Sequence, residues 1–124
     1  MCFIVDEKQS GFKIATKNIV CYKVSNHPKR SKVEDYFRPY FYCSFKYLLN
    51  KRTPNVAIYI DRDWNGDHSI RDGYHSLQSF KDGWIAWEHG TKKIGKFIIP
   101  KGTKYYENET EYVSETLIFK GYIK

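Results

Sequence analysis

Cysteine is scarce in this chain of 124 residues, and the three present, Cys2, Cys21 and Cys43, lie far apart without a CxxC pair. That spacing excludes a disulfide framework and a structural zinc site built on paired thiols, and points to reduced, packed side chains. No apolar run approaches the roughly 18 residues of a membrane-spanning helix, and Met1 to Val5 is too short for the core of a secretion signal. The expectation is a soluble, cytoplasmic protein. Low-complexity segments and internal repeats are also missing, so one domain spanning residues 1–124 is expected. Acidic residues fall short of basic ones, 14 against 21, leaving a formal net charge of +7. Such an excess favours polyanionic partners through long-range attraction and counterion release.

What the chain has in quantity is rings: 11 Tyr, 8 Phe and 3 Trp. Large rings fill a core with few residues, which offsets a hydrophobic share of only 41%. They concentrate between Asp35 and Leu49. Taken at period two, one face of that run carries Tyr36, Arg38, Tyr40, Tyr42, Ser44 and Lys46, and the other Phe37, Phe41, Cys43, Phe45 and Tyr47. The greasy face should turn inward and the Tyr/Arg/Lys face outward, with Pro39 forcing an edge strand or a break. Lys29, Arg30 and Lys32 lie in the polar stretch Ser25–Lys32 just before it, read as an exposed basic loop. Stacking a base on an exposed ring contributes roughly 1–3 kcal/mol, so two or three such contacts with phosphate pairing make a site for a nucleotide-type ligand or single-stranded nucleic acid. The same Tyr/Arg surface also suits a protein interface, with a second copy or a host protein.

Short β-type runs occupy Met1–Val5 and Phe12–Thr16, joined as a hairpin with a longer loop, and further strands are expected at Asn18–Val24, Asn55–Ile60, Lys92–Pro100 and Glu111–Ile123. Phe80, Trp84 and Trp87 fall at i, i+4 and i+7, predicting a helix over about 77–88 with Ser76 or Ser79 as N-cap. The predicted fold is therefore α+β, a mostly antiparallel or mixed sheet with that one main helix packed on it; a small β-barrel is the alternative. Asp61–Asp72 places oxygen ligands at positions 1, 3, 5, 9 and 12 of a calcium-loop template with Gly66 at 6. His68 at position 8, Asp72 in place of a Glu, and a β-run leading in favour a turn around Asn65-Gly66, and no metal or cofactor is assigned. No high-specificity catalytic motif occurs, which favours binding over catalysis. His75 has no nucleophile or acid assigned to it by spacing.

From Asn18 onward the landmarks Ile19-Val-Cys-Tyr-Lys-Val24, Gly73-Tyr-His-Ser76, Ile98-Ile-Pro-Lys-Gly-Thr-Lys-Tyr-Tyr106 and Tyr112-Val-Ser-Glu-Thr-Leu-Ile118 resemble a group of small uncharacterised proteins of tailed bacteriophages and prophages. The resemblance implies a phage accessory protein in the host cytoplasm and carries no assigned activity; capture of a nucleotide messenger in counter-defence would be one use of it. Separately, Tyr22-Lys23, His75-Ser76 and Glu111 or Glu115 are similar to the three-strand arrangement of ADP-ribosyltransferases. That likeness implies Lys23 at a diphosphate, Ser76 at nicotinamide and a Glu stabilising ribose charge, with Lys where the family has Arg and an incomplete Ser motif.

Overall fold

The computed structural model describes residues 3–5, 11–40, 45–58, 60–62, 68–70, 72–79 and 92–123. Every regular element among them is a strand. The long strands are β3 (Ile19–Pro28) and β9 (Lys92–Ile99), whose β-branched and aromatic residues suit a half-buried pleated surface. With β2 (Lys13–Ile14), β8 (Tyr74–Leu77), β10 (Lys104–Glu107), β11 (Glu111–Ser114) and β12 (Ile118–Tyr122) they form a seven-stranded antiparallel sheet in the order β12-β9-β3-β8-β11-β10-β2. Two smaller pieces accompany it: a ribbon of β4 (Tyr36–Phe37) with β5 (Tyr47–Leu48), and a three-stranded sheet in the order β1-β7-β6, from β1 (Phe3–Val5), β6 (Ile60–Arg62) and β7 (His68–Ile70).

The pleat sends side chains three residues apart on one strand to opposite faces, and two cores follow. On one face Cys21, Phe97, Ile99, Leu117 and Phe119 are covered by Phe37 and Tyr47 from the β4–β5 ribbon. On the other, Val24 and Ile94 pack with Tyr22, Leu77 and Ile123. Phe37 is the keystone of the first. Its ring meets Phe97 at 4.8 Å and 87°, Phe119 at 5.5 Å and Tyr47 at 5.8 Å. Truncating so enclosed a ring to Ala costs about 3–5 kcal/mol in comparable cores. A buried threonine clamp, Thr116 Oγ1 to Thr53 O at 2.7 Å and Leu117 N to Thr53 Oγ1 at 2.9 Å, fixes the segment after the ribbon against the β11–β12 connection.

Three expectations are corrected. The α+β fold with a main helix is replaced by an all-strand fold: Leu77, where that helix was to begin, closes β8 and is paired with both Tyr22 and Glu111, and Ser76 is a buried strand residue, not an N-cap. Pairing with two distant strands fixes Leu77 as strand; residues 80–91, including Phe80, Trp84 and Trp87, lie outside the described residues. The N-terminal runs do not pair with each other, because β1 joins β7 and β2 joins β10. The C-terminal run is two strands, broken at 115–117. On either side of Asn65-Gly66, β6 and β7 pair antiparallel, with Asp61 opposite Ser69 and Arg62 opposite His68. Residues 63–67 lie outside the described residues, and among those described no group of His, Cys, Asp or Glu is placed to hold a metal. Nor, among them, is any helix long and apolar enough to cross a membrane.

Candidate anion-binding site

The aromatic run breaks where Pro39 forces it to. β4 ends at Phe37, Pro39 is buried and bridges to Ser25, and the backbone is stitched to β3 by Asn26 N to Arg38 O (2.8 Å) and Tyr40 N to Val24 O (2.9 Å). β3 answers with a register shift between Val24 and Pro28, an irregularity that turns His27 toward the ribbon. Ser25 Oγ pins this bend, accepting from His27 N at 3.2 Å and donating to His27 O at 3.3 Å.

His27 then sits between two rings: Tyr36 at 5.4 Å and 81°, and Tyr122 at 6.4 Å and 85°. The two tyrosines are tied together, since Tyr122 donates its hydroxyl to Tyr36 O at 2.6 Å. Cations collect on these rings. Lys46 Nζ stands 4.4 Å from the Tyr36 centroid and Arg38 Cζ 5.9 Å from it, while Lys93 Nζ lies 4.7 Å from the Tyr122 centroid and also donates to Val33 O at 3.4 Å. Lys92, opposite Pro28 in the β3–β9 ladder, completes the group.

 The pairing of Pro28 with Lys92 carries the whole start of β9 to the side of His27.

The electrostatics follow from that crowding. Burial lowers the affinity of the His27 imidazole for a proton, and the neighbouring charges of Arg38, Lys93 and Lys92 lower it further, which favours the neutral ring. Its Nε2 is buried and has no hydrogen-bond partner among the described residues. Burial also pushes the Tyr122 phenol up, with Tyr36 and Asp35 adding to the effect. The site is thus a positive rim around aromatic walls with one polar atom left over.

Of the residues expected at a ligand site, Tyr36, Arg38 and Lys46 are brought together here, the first two half-buried and the last exposed. Tyr40 keeps 37% of its surface open. Lys29, Arg30 and Lys32 are exposed in the turn after β3. Tyr42 lies outside the described residues, as do Phe41 and Cys43. Phe37 and Tyr47 turn inward as the alternation requires, but Phe45, placed on the same face, is 38% exposed and leans on the Tyr47 ring at 4.7 Å. His27, Lys92, Lys93 and Tyr122 escape a reading of the chain in order. Their only signals are a His before Pro28 and a Lys doublet opening a strand, and the register that joins them is visible only in the fold.

The second constellation also becomes contiguous, because β3, β8 and β11 are neighbours in the sheet. Lys23 donates to His75 O and faces the Tyr47 ring at 5.8 Å. Ser76 is buried, with the Cys21 thiol as the polar neighbour of its hydroxyl among the described residues. Glu111 bears on Lys23 through space only, and Glu115 makes a backbone bond to Lys104. Compared with protein-family models, curated proteins and solved structures, the chain matches none of them.

Proposed function

We propose that the chain binds a nucleotide-type ligand or single-stranded nucleic acid at the His27–Tyr36–Tyr122 cluster, without catalysing a reaction on it. The observation that supports this most is the gathering of Arg38, Lys46, Lys92 and Lys93 about two rings and an unpartnered imidazole nitrogen. Cations supply phosphate pairing, and the exposed Tyr40, two residues beyond Arg38, supplies a stacking face for a base. The bacteriophage resemblance of the landmarks supports a setting in an infected cell, where capture of a nucleotide messenger uses the same chemistry.

Titration of labelled oligonucleotides and of mononucleotides by anisotropy and calorimetry tests it. Binding in the micromolar range is expected, weakened about tenfold by either Arg38→Ala or Lys93→Ala, the loss of one charge-assisted contact. A single strand engaging all four cations should show a salt slope near −3, hence about a 50-fold loss between about 50 and 200 mM salt, whereas a mononucleotide saturates one site with a shallower slope. No binding of either class at low salt would overturn the proposal. A second reading, an interface with another protein, is favoured by the exposed Phe45, Leu48 and Leu49 beside the ribbon. It requires a mass that depends on concentration or partner and that Leu48→Glu reduces.

A further inference from the structure

We infer that the outer edge of β2 takes up an extended, acidic peptide segment of another protein as one more strand of the large sheet. This surface lies at the opposite end of the strand order from the His27 cluster, so the inference is independent of the nucleotide reading.

The backbone is aimed for it. Ala15 N donates to Thr103 O at 2.9 Å and Ala15 O accepts from Gly102 N at 2.7 Å, so both polar groups of Ala15 turn toward the β10 side. The N–H and C=O of one residue leave a strand on the same side, and the side alternates along the chain. Lys13, opposite Tyr105, therefore also bonds inward, while Ile14 and Phe12 turn their N–H and C=O away from β10. Among the described residues no strand lies beyond β2, and residues 11–14 are all exposed. An antiparallel newcomer would exchange a pair of hydrogen bonds with Ile14 and another with Phe12.

The side chains offer it a greasy margin. Ile14 lies opposite Lys104, so period two sets Phe12, Ile14, Lys104 and Tyr106 on one face of the sheet. Phe12 and Ile14 keep 54% and 51% of their surface open there. The Phe12 ring meets Tyr106 edge-on at 6.5 Å, and Tyr106 belongs to a small core with Val113 and Ile58. An apolar side chain on the incoming strand, seated beside Phe12 and Ile14, extends that core past its present margin.

Charge selects the occupant. Asn18 Oδ1 accepts from Lys101 N at 3.0 Å, which brings the exposed Lys17 and Lys101 together at the end of β2, and Lys104 Nζ stands 4.3 Å from the Phe12 ring. Of the acids at the other end of this corner, Glu107 is paired with Lys13, and exposed Glu109 follows it in the turn after β10. A second copy of the chain would bring a further net charge of +7 to the edge, whereas an acidic segment brings the opposite sign. The fitting partner thus alternates apolar and acidic side chains, with its acids toward Lys17 and Lys101.

The experiment is anisotropy titration of the full chain with labelled peptides of about eight residues, one alternating Val and Glu and one alternating Val and Lys, near 0.05 M salt. The Val/Glu peptide should bind at least about tenfold more tightly than the Val/Lys peptide, and on its addition amide hydrogen exchange at Phe12 and Ile14 should slow by about tenfold or more. Ile14→Pro deletes an outward-facing N–H and leaves the inward bonds of Lys13 and Ala15 in place, so it should weaken Val/Glu binding by about tenfold with the fold retained, which thermal melting checks. The double change Lys17→Glu with Lys101→Glu leaves the backbone alone, and should weaken the acidic peptide and strengthen the basic one. Equal binding of the two peptides, no binding of either, or unchanged exchange at Phe12 and Ile14 overturns the inference. So does displacement of the peptide by an oligonucleotide, which gives the edge to nucleic acid, or a dimer at this salt that Ile14→Pro dissolves, which gives it to a second copy.

Discussion

Lys23 is a cation placed where water is scarce. Its amine donates to His75 O and faces the Tyr47 ring, and it makes no ion pair among the described residues. Burial draws its pKa down from 10.5 to about 8, opposed in part by Cys21 and Glu111. A lysine whose native pKa is depressed binds fewer protons folded than unfolded between the two values, so stability must rise with pH there. The penalty is complete below about 8, shrinks between about 8 and 10.5, and is gone above. Its full size corresponds to about 3 kcal/mol. Lys23→Met removes the charge but leaves the carbonyl without that donor, and the expected outcome is a gain of roughly 1–2 kcal/mol at neutral pH with the rise on alkalinisation abolished. Cys21 acts in the opposite sense. Burial pushes its thiol up to about 12 from 9.0, and the unfolded chain loses that proton first, so stability falls as pH rises through this window. Urea denaturation of wild type and Lys23→Met across about pH 7–10 isolates the lysine, because the thiol contribution is common to both proteins. Parallel curves for the two would refute the account of Lys23.

At the scale of elements, the site depends on how closely the β4–β5 ribbon lies on the large sheet. Gly95 sets that distance. A Cβ there would stand 2.6 and 2.7 Å from Phe37 ring carbons and 2.9 Å from Phe97, so the ring rests on bare backbone. Gly95→Ala forces Phe37 outward, at a cost of about 1–3 kcal/mol, and moves the adjoining Tyr36 with it. The expected outcome is a lower urea midpoint together with weaker nucleotide binding, whereas Val20→Ala on exposed β3 surface should leave both within error. Much of this scale was legible. The strands around Ile19 and Ile94 announce themselves by their β-branched residues, and the inward Phe37 and Tyr47 follow from period two. The segments Ile19–Val24, Gly73–Ser76, Ile98–Tyr106 and Tyr112–Ile118 all fall on the seven-stranded sheet or its turns. What period and propensity cannot supply is the partner of a strand. Tyr74–Leu77 is flanked by β3 and β11, about fifty residues before it and about thirty-five after it, and those ladders decide its conformation against a helical spacing of rings downstream. The same blindness hides Lys93 from His27, since the β3–β9 ladder joins positions about sixty-five residues apart.

For the molecule as a whole, net charge and open edges work against each other. The sheet ends at β2, a two-residue strand flanked by Phe12 and carrying Ile14, respectively 54% and 51% exposed. An edge with apolar side chains is a template for another strand. Lysines guard it: Lys13 is paired with Glu107, Lys104 lies 4.3 Å from the Phe12 ring, Lys17 is exposed nearby in the chain, and exposed Lys101 donates its N–H to Asn18 Oδ1. Two copies approaching through this edge bring like charges together on top of a net charge of +7 each. With a Debye length of about 10 Å at 0.1 M salt that repulsion reaches across the gap, and at about 3 Å in 1 M salt it does not. The chain should therefore sediment as a monomer near 0.05 M salt and associate reversibly near 1 M, with Ile14→Lys keeping it monomeric throughout. Ligand capture has the opposite salt dependence, because there the charges attract. One salt series, read by sedimentation velocity with and without an oligonucleotide, thus separates the two surfaces: added salt should release the nucleic acid and assemble the protein. A dimer already present at low salt, or one that Ile14→Lys leaves intact, would place self-association elsewhere than at β2.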